Sequence, residues 1–113
     1  MRLAFYTYSY TDRQNLSVPE CLARIARTGY TGVDESGTFG KSADPKSVSP
    51  ERRRLIRDTA RQHKLAVEAV ITHAELTSSL VADEPLDLKG SVDLAADLGA
   101  PLVTFHMAAR WMD

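Results

Sequence analysis

Cysteine is nearly missing from this sequence. Its one residue, Cys21, cannot form an intrachain disulfide, and metal sites built on cysteine clusters are excluded with it. Long apolar runs are missing as well: none reaches the roughly 18 residues that a membrane span needs. Met1 to Tyr10 is apolar but short and rich in Tyr and Thr, unlike a signal peptide. No charge dominates: 14 Lys and Arg stand against 15 Asp and Glu, a formal net charge of −1. That balance argues against a nucleic-acid module held by phosphate contacts. Neither a G-x-x-x-x-G-K phosphate loop nor a G-x-S-x-G elbow occurs. The expectation is a soluble cytoplasmic protein with no membrane or nucleic-acid partner.

What is present is a globular mixture, 43% apolar and 26% charged. The 113 residues suit one domain, 1–113. They fall short of the roughly 200 or more that a closed eight-stranded α/β barrel requires.

Leu3 to Tyr8 is a short aromatic-rich run without helical period, and reads as a strand. Ser17-Val-Pro-Glu20 fits a capping box that opens a helix with Val18, Cys21, Leu22, Ile25 and Ala26 on one apolar face. Gly29 ends it. Thr31 to Ser36 is the second strand, and Gly37 to Val48 a long loop. Ser49-Pro50 caps a second helix whose inner face is Leu55, Ile56, Thr59 and Ala60. Arg53, Arg57 and Arg61 stack on another face, which reads as solvated. Leu65 to Ile71 is a third strand, and Thr72 to Ala82 a loop or irregular turn. Asp83 or Glu84 with Pro85 opens a third helix, with Leu88, Val92, Leu94, Ala95 and Leu98 as its apolar side and Gly99 at its end. Pro101 to His106 is the fourth strand.

The order is β-α-β-α-β-α-β. Similar helix-to-strand joins recur, with Val33 to Val67 spanning 34 residues and Val67 to Val103 spanning 36. Right-handed crossovers then make the strands parallel, and active residues gather at their carboxyl ends. Those ends carry Tyr6, Tyr8 and Ser9; Asp34, Glu35 and Ser36; Thr72, His73 and Glu75; and His106 with Met107.

Two imidazoles and a carboxylate can coordinate a divalent ion or bind a sugar's hydroxyls. His73 can equally be a loop histidine satisfied by backbone. Asp34, which alternation points away from Val33, can equally be a cap or an ion-pair partner. Glu68 sits mid-strand among apolar residues, where an unpaired charge is expensive. A salt bridge to an arginine or a polar barrel interior would satisfy it. Cys21, on an apolar helix face, reads as core.

Four segments together resemble the sugar-phosphate isomerase/epimerase family, the xylose-isomerase-like TIM barrels. They are Arg2-Leu-Ala-Phe-Tyr-Thr-Tyr-Ser9; Gly29-Tyr-Thr-Gly-Val-Asp34, similar to the family's G-Y-x-G-[IV]-[ED]; the strand ending at His73; and Leu98-Gly-Ala-Pro-Leu-Val-Thr-Phe-His106, similar to its L-G-x-x-x-V-x-x-H. The resemblance covers essentially the whole chain, and implies the N-terminal half of a TIM barrel. It implies isomerisation or epimerisation of a sugar or sugar phosphate through an enediolate, assisted by Mn, Mg, Co or Zn. Substrate contacts would fall to Tyr6, Tyr8, Asp34, His73 and His106, and metal contacts to His73 and His106. Asp34 stands where glutamate is commoner, and Met107-Ala108 where the family often has Pro-Gly. The family's main metal site, two glutamates with an aspartate and a histidine, comes from strands five to eight. The isolated half-barrel is therefore expected to be nearly inactive. The alternatives are a zinc-dependent phosphodiesterase like the abasic-site endonucleases, with zinc at His73 and His106, and a non-catalytic half-barrel. The half-barrel's open edges also suggest pairing with a second copy.

Overall fold

Local chemistry fixes where the first two helices begin and where all three end. In the computed structural model, helix α1 spans Val18–Arg27 and starts on a complete capping box. Ser17 Oγ accepts from the Glu20 amide at 3.3 Å, and the Ser17 amide donates to Glu20 Oε2 at 3.2 Å. Such a cap is worth about 1 kcal/mol. Helix α2 spans Pro50–Gln62, with Ser49 Oγ accepting from the Arg52 amide at 3.2 Å. Helix α3 spans Leu88–Leu98. Past α1 and α3 the chain turns at Gly29 (φ 89°) and Gly99 (φ 76°), in left-handed backbone that costs glycine little. Lys64 makes the same turn after α2 at φ 57°. The structure describes residues 2–7, 10, 16–36, 45–75 and 88–106. Of Glu35, Ser36, Thr72 to Glu75, Phe105 and His106 it describes the backbone alone. The expected opening of the third helix at 83–85 lies outside the described residues.

Strands β1 (Ala4–Tyr6), β2 (Gly32–Ser36), β3 (Ala66–Glu75) and β4 (Leu102–His106) form one sheet in the order β1-β2-β3-β4. Every neighbouring pair is parallel. Chain order equals spatial order, so the winding never reverses. Val33, Val67 and Val70 share one buried core with residues from all three helices, including Leu22 and Ile25 of α1, Ile56 of α2, and Leu94 and Leu98 of α3. One helical layer thus covers one sheet face. The chain is an α/β protein of the expected element order.

Four expectations fail on detail. Strand β3 runs on to Glu75 where a loop is expected from Thr72, because β4 continues to pair with it up to Glu75↔His106. Leu55 is 44% exposed rather than inward, because the core line of α2 runs through Ile56, Thr59 and Ala60. Leu88 and Val92 are 49% and 55% exposed, because Ser91 takes the buried position on α3. Arg53 is no solvated residue: its side chain is 15% exposed and is held by three acceptors. Cys21 is buried in the core as expected.

Candidate functional site

The sheet face away from the helices gathers the unusual chemistry. Register places Tyr6 of β1 beside Asp34 of β2, and Asp34 beside Ala69 of β3. Residues in parallel register share a face, so Tyr6 and Asp34 lie together, opposite buried Val33 and partly buried Phe5. Thr7, fully buried, ties this corner: its amide donates to the Asp34 carbonyl at 3.1 Å.

A bulge sits next to Asp34. Val33 pairs with Val67 but Asp34 pairs with Ala69, so Glu68 is the extra residue in β3. The extra residue explains why Val67 and Val70, three apart, both reach the same core. Uninterrupted alternation would put them on opposite faces. It also resolves the mid-strand charge. Glu68 avoids the core, keeps 29% of its side chain exposed, and crosses over Gly32. A Cβ at position 32 would lie 2.8 Å from Glu68 Cγ and 3.0 Å from the Ala66 carbonyl oxygen. Arg2 approaches Glu68 at 3.9 Å, but with the Arg2 side chain 83% exposed the pair contributes little.

Asp34 is half-buried. Burial, and then the charge of Glu68, hold its carboxyl above the ordinary value of 3.8. Among the described residues, no hydrogen bond or ion pair compensates that carboxylate. The capping and ion-pair roles are therefore not seen among those residues. The raised acid favours the protonated fold. Its contribution is fully present below the unfolded value and is lost as pH rises through the folded one. Asp34→Asn is therefore expected to stabilise the protein at neutral pH and to leave a smaller fall in stability between pH 3.8 and neutrality. Urea unfolding across that range measures both. A variant less stable than the parent at neutral pH would contradict this reading.

The other expected site residues separate from this pair. His106 stands opposite Glu75 at the carboxyl end of β3. Asp34 shares its level with Ala69 and Leu102, four residues before His106 and about 13 Å lower along the strand. His73 falls in the stretch of β3 where the pairing with β4 shifts, between Ile71 and Glu75. Tyr8 lies outside the described residues. Register thus brings Tyr6 and Asp34 together and sets the two histidine-bearing strand ends further along the sheet.

Two carboxylates side by side, one with a raised pKa, suit proton holding and transfer. As metal donors they are incomplete. No group of three or more His, Cys, Asp or Glu able to hold an ion occurs among the described residues. Sequence reasoning missed Gly32 and the bulge. The signal lay in Ala66-Val-Glu-Ala-Val70, where a charge interrupts apolar residues spaced three apart.

A cavity of about 170 Å³ lies elsewhere, on the outer helical layer, lined by Pro50, Arg53, Arg54, Arg57 and Asp97. Its arginines are each paired: Arg53 with Asp97, Arg54 with Glu51, and Arg57 with Asp58. The pocket is electrically balanced and distant from the sheet face, so we place the candidate site on the latter. No described helix is long and apolar enough to cross a membrane.

No family model matches the chain, and no curated protein or solved structure was found to be similar to it.

Proposed function

We propose that this chain is the N-terminal half of a sugar-binding β/α barrel of the xylose-isomerase-like type, descended from sugar or sugar-phosphate isomerases and epimerases. One observation supports this most. The described sheet winds in a single direction, and the face away from the described helices carries the Asp34–Glu68 acid pair. In a closed barrel that face lines the interior. In a doubly wound sheet a second helical layer would cover it, and two acids there would be costly to bury.

On this reading Asp34 and Tyr6 form the floor of the pocket, while His73 and His106 stand nearer its rim. Asp34 accepts a hydroxyl hydrogen bond from the sugar, and its raised pKa suits it to hold a proton. A divalent ion, when bound, would polarise the sugar carbonyl, and His73 and His106 are the residues that would hold it. The family's principal metal ligands belong to strands five to eight, so on this reading residues 1–113 supply sugar contacts and turnover rests on strands beyond β4. A zinc phosphodiesterase would need a basic groove beside the strand ends, whereas Arg53, Arg54 and Arg57 lie on the outer helical layer.

Titration of the ¹⁵N-labelled protein with D-fructose and with D-fructose 6-phosphate tests this reading. Expected amide shifts concentrate at Tyr6, Thr7, Gly32 to Ser36 and the carboxyl ends of β3 and β4. Asp34→Asn should weaken binding about tenfold, the loss of one charged hydrogen bond. Shifts confined to the helical layer, or no shifts with either sugar, would contradict it. The two sugars together report whether phosphate is required.

A further inference from the structure

The outer helical layer concentrates a charge that the sheet face does not use, and it stands apart from the sugar reading. Helix α2 holds five arginines against two acids in 13 residues, within a chain of net charge −1. Arg54 and Arg57 are three apart on it, so they are neighbours on one side of the helix, where like charges repel. Both line the cavity of about 170 Å³, together with Pro50 and Arg53 of α2 and Asp97 of α3. The pairings that balance this cavity are unequal. Arg53 and Asp97, joined at 2.8 Å, neutralise each other inside it, and the Val48 and Pro45 carbonyls hold Arg53 in place. Glu51 and Asp58, which pair with Arg54 and Arg57, do not line it. Their side chains are 76% and 62% exposed, at 3.5 and 3.2 Å from their partners. Surface pairs of this kind contribute little, so either acid can give up its arginine for water at small cost.

We propose that this cavity binds a phosphate group through Arg54 and Arg57. The two oxygens of a carboxylate are taken up by one guanidinium fork, whereas the terminal oxygens of a phosphate can be shared between two. A phosphate therefore answers both arginines at once and relieves their mutual repulsion, which Glu51 and Asp58, each serving one arginine, do not. The size of the cavity limits the ligand. It lies below the roughly 300 Å³ at which pockets for drug-sized molecules begin, and so suits inorganic phosphate or the phosphate of a small monoester.

Titration of the ¹⁵N-labelled full chain with inorganic phosphate and, separately, with methyl phosphate tests the site, in about 0.15 M chloride to screen diffuse attraction. The Nε–Hε signals of Arg54 and Arg57 should shift and saturate, with a dissociation constant of about 1 mM or below. Arg54→Gln and Arg57→Gln should each weaken binding by roughly 10-fold or more. Arg54 is exposed, so its replacement should leave far-UV circular dichroism unchanged. Arg61→Gln, exposed on the same helix but outside the cavity lining, should leave the affinity intact. Saturable binding of either compound supports the site, and the tighter of the two identifies free anion or monoester as its source. Neither compound carries a sugar, so failure here is distinct from failure of the fructose titration. Shifts that grow without saturating would overturn the proposal. So would equal losses from Arg54→Gln and Arg61→Gln, which would mark general attraction to the charge of α2.

Discussion

Gly32→Ala should destabilise the fold by about 2 kcal/mol, the cost of overpacking a tight site. The direction is the informative part. In a strand interior, alanine ordinarily gains about 0.5–1 kcal/mol over glycine because it surrenders less backbone freedom. Here the new methyl would meet Glu68 Cγ at 2.8 Å and the Ala66 carbonyl at 3.0 Å. The Glu68 side chain can shift, but the carbonyl belongs to the paired backbone of β3. Adding Glu68→Ala should recover part of the loss, leaving the part due to the carbonyl. Equilibrium urea unfolding of the two single variants and the double variant gives that coupling directly. A neutral or stabilising Gly32→Ala would mean that Glu68 does not cross β2, and the bulge would need another explanation.

Arg53→Ala should cost about 2–3 kcal/mol, because one planar group serves three acceptors. Its Nε donates to the Val48 carbonyl at 2.9 Å and its Nη2 to the Pro45 carbonyl at 2.9 Å. Its Nη1 donates to Asp97 Oδ2 at 2.8 Å. The residue thereby fastens the 3₁₀ turn Pro45–Ser47 and the start of α2 to α3. The Asp97 bond contributes the smaller share, since that carboxylate is 55% exposed. Arg53→Lys should rescue little, because an ammonium cannot reproduce the fork that reaches both carbonyls. Thermal unfolding of both variants checks this. Full stability of Arg53→Lys would show that charge alone, rather than geometry, holds the turn.

Much of the fold was legible in the chain because local rules and core packing agree in it. Ser17-Val-Pro-Glu20 folds as a capping box, Ser49-Pro50 as a cap, and Gly29 and Gly99 as left-handed turns. Where periodicity misled, the cause is the width of the buried stripe. Leu55, Leu88 and Val92 fit an apolar helical face by spacing, yet each falls on a flank beside the line that meets the sheet. Glycine is harder to read than either. Gly32 looked like part of a strand motif, and only the passage of Glu68 across it shows why a side chain cannot stand there.

The candidate site was legible in residue type more than in arrangement. Alternation sets Asp34 against Val33, and the two do differ, one half-buried and the other in the core. Its partner was not foreseen. A bulge depends on how two strands, separated by more than thirty residues, fall into register. No local pattern encodes that offset. The separation of Asp34 from His106 along the strands has the same origin. Residues at the ends of sequence segments need not share a level once the strands are staggered.

The central claim is that β2 turns Val33 into the helical core and Asp34 onto the face away from the described helices. Thiol reactivity of single-cysteine variants in a Cys21→Ser background measures this most directly. Leu102→Cys should react with a small maleimide at a rate near that of an exposed thiol and the half-buried Asp34→Cys somewhat more slowly, while Val33→Cys should react only through unfolding and slow by about a thousandfold or more. Equal protection at positions 33 and 34 would mean that a second layer covers the sheet, and the site placed there would be lost with it.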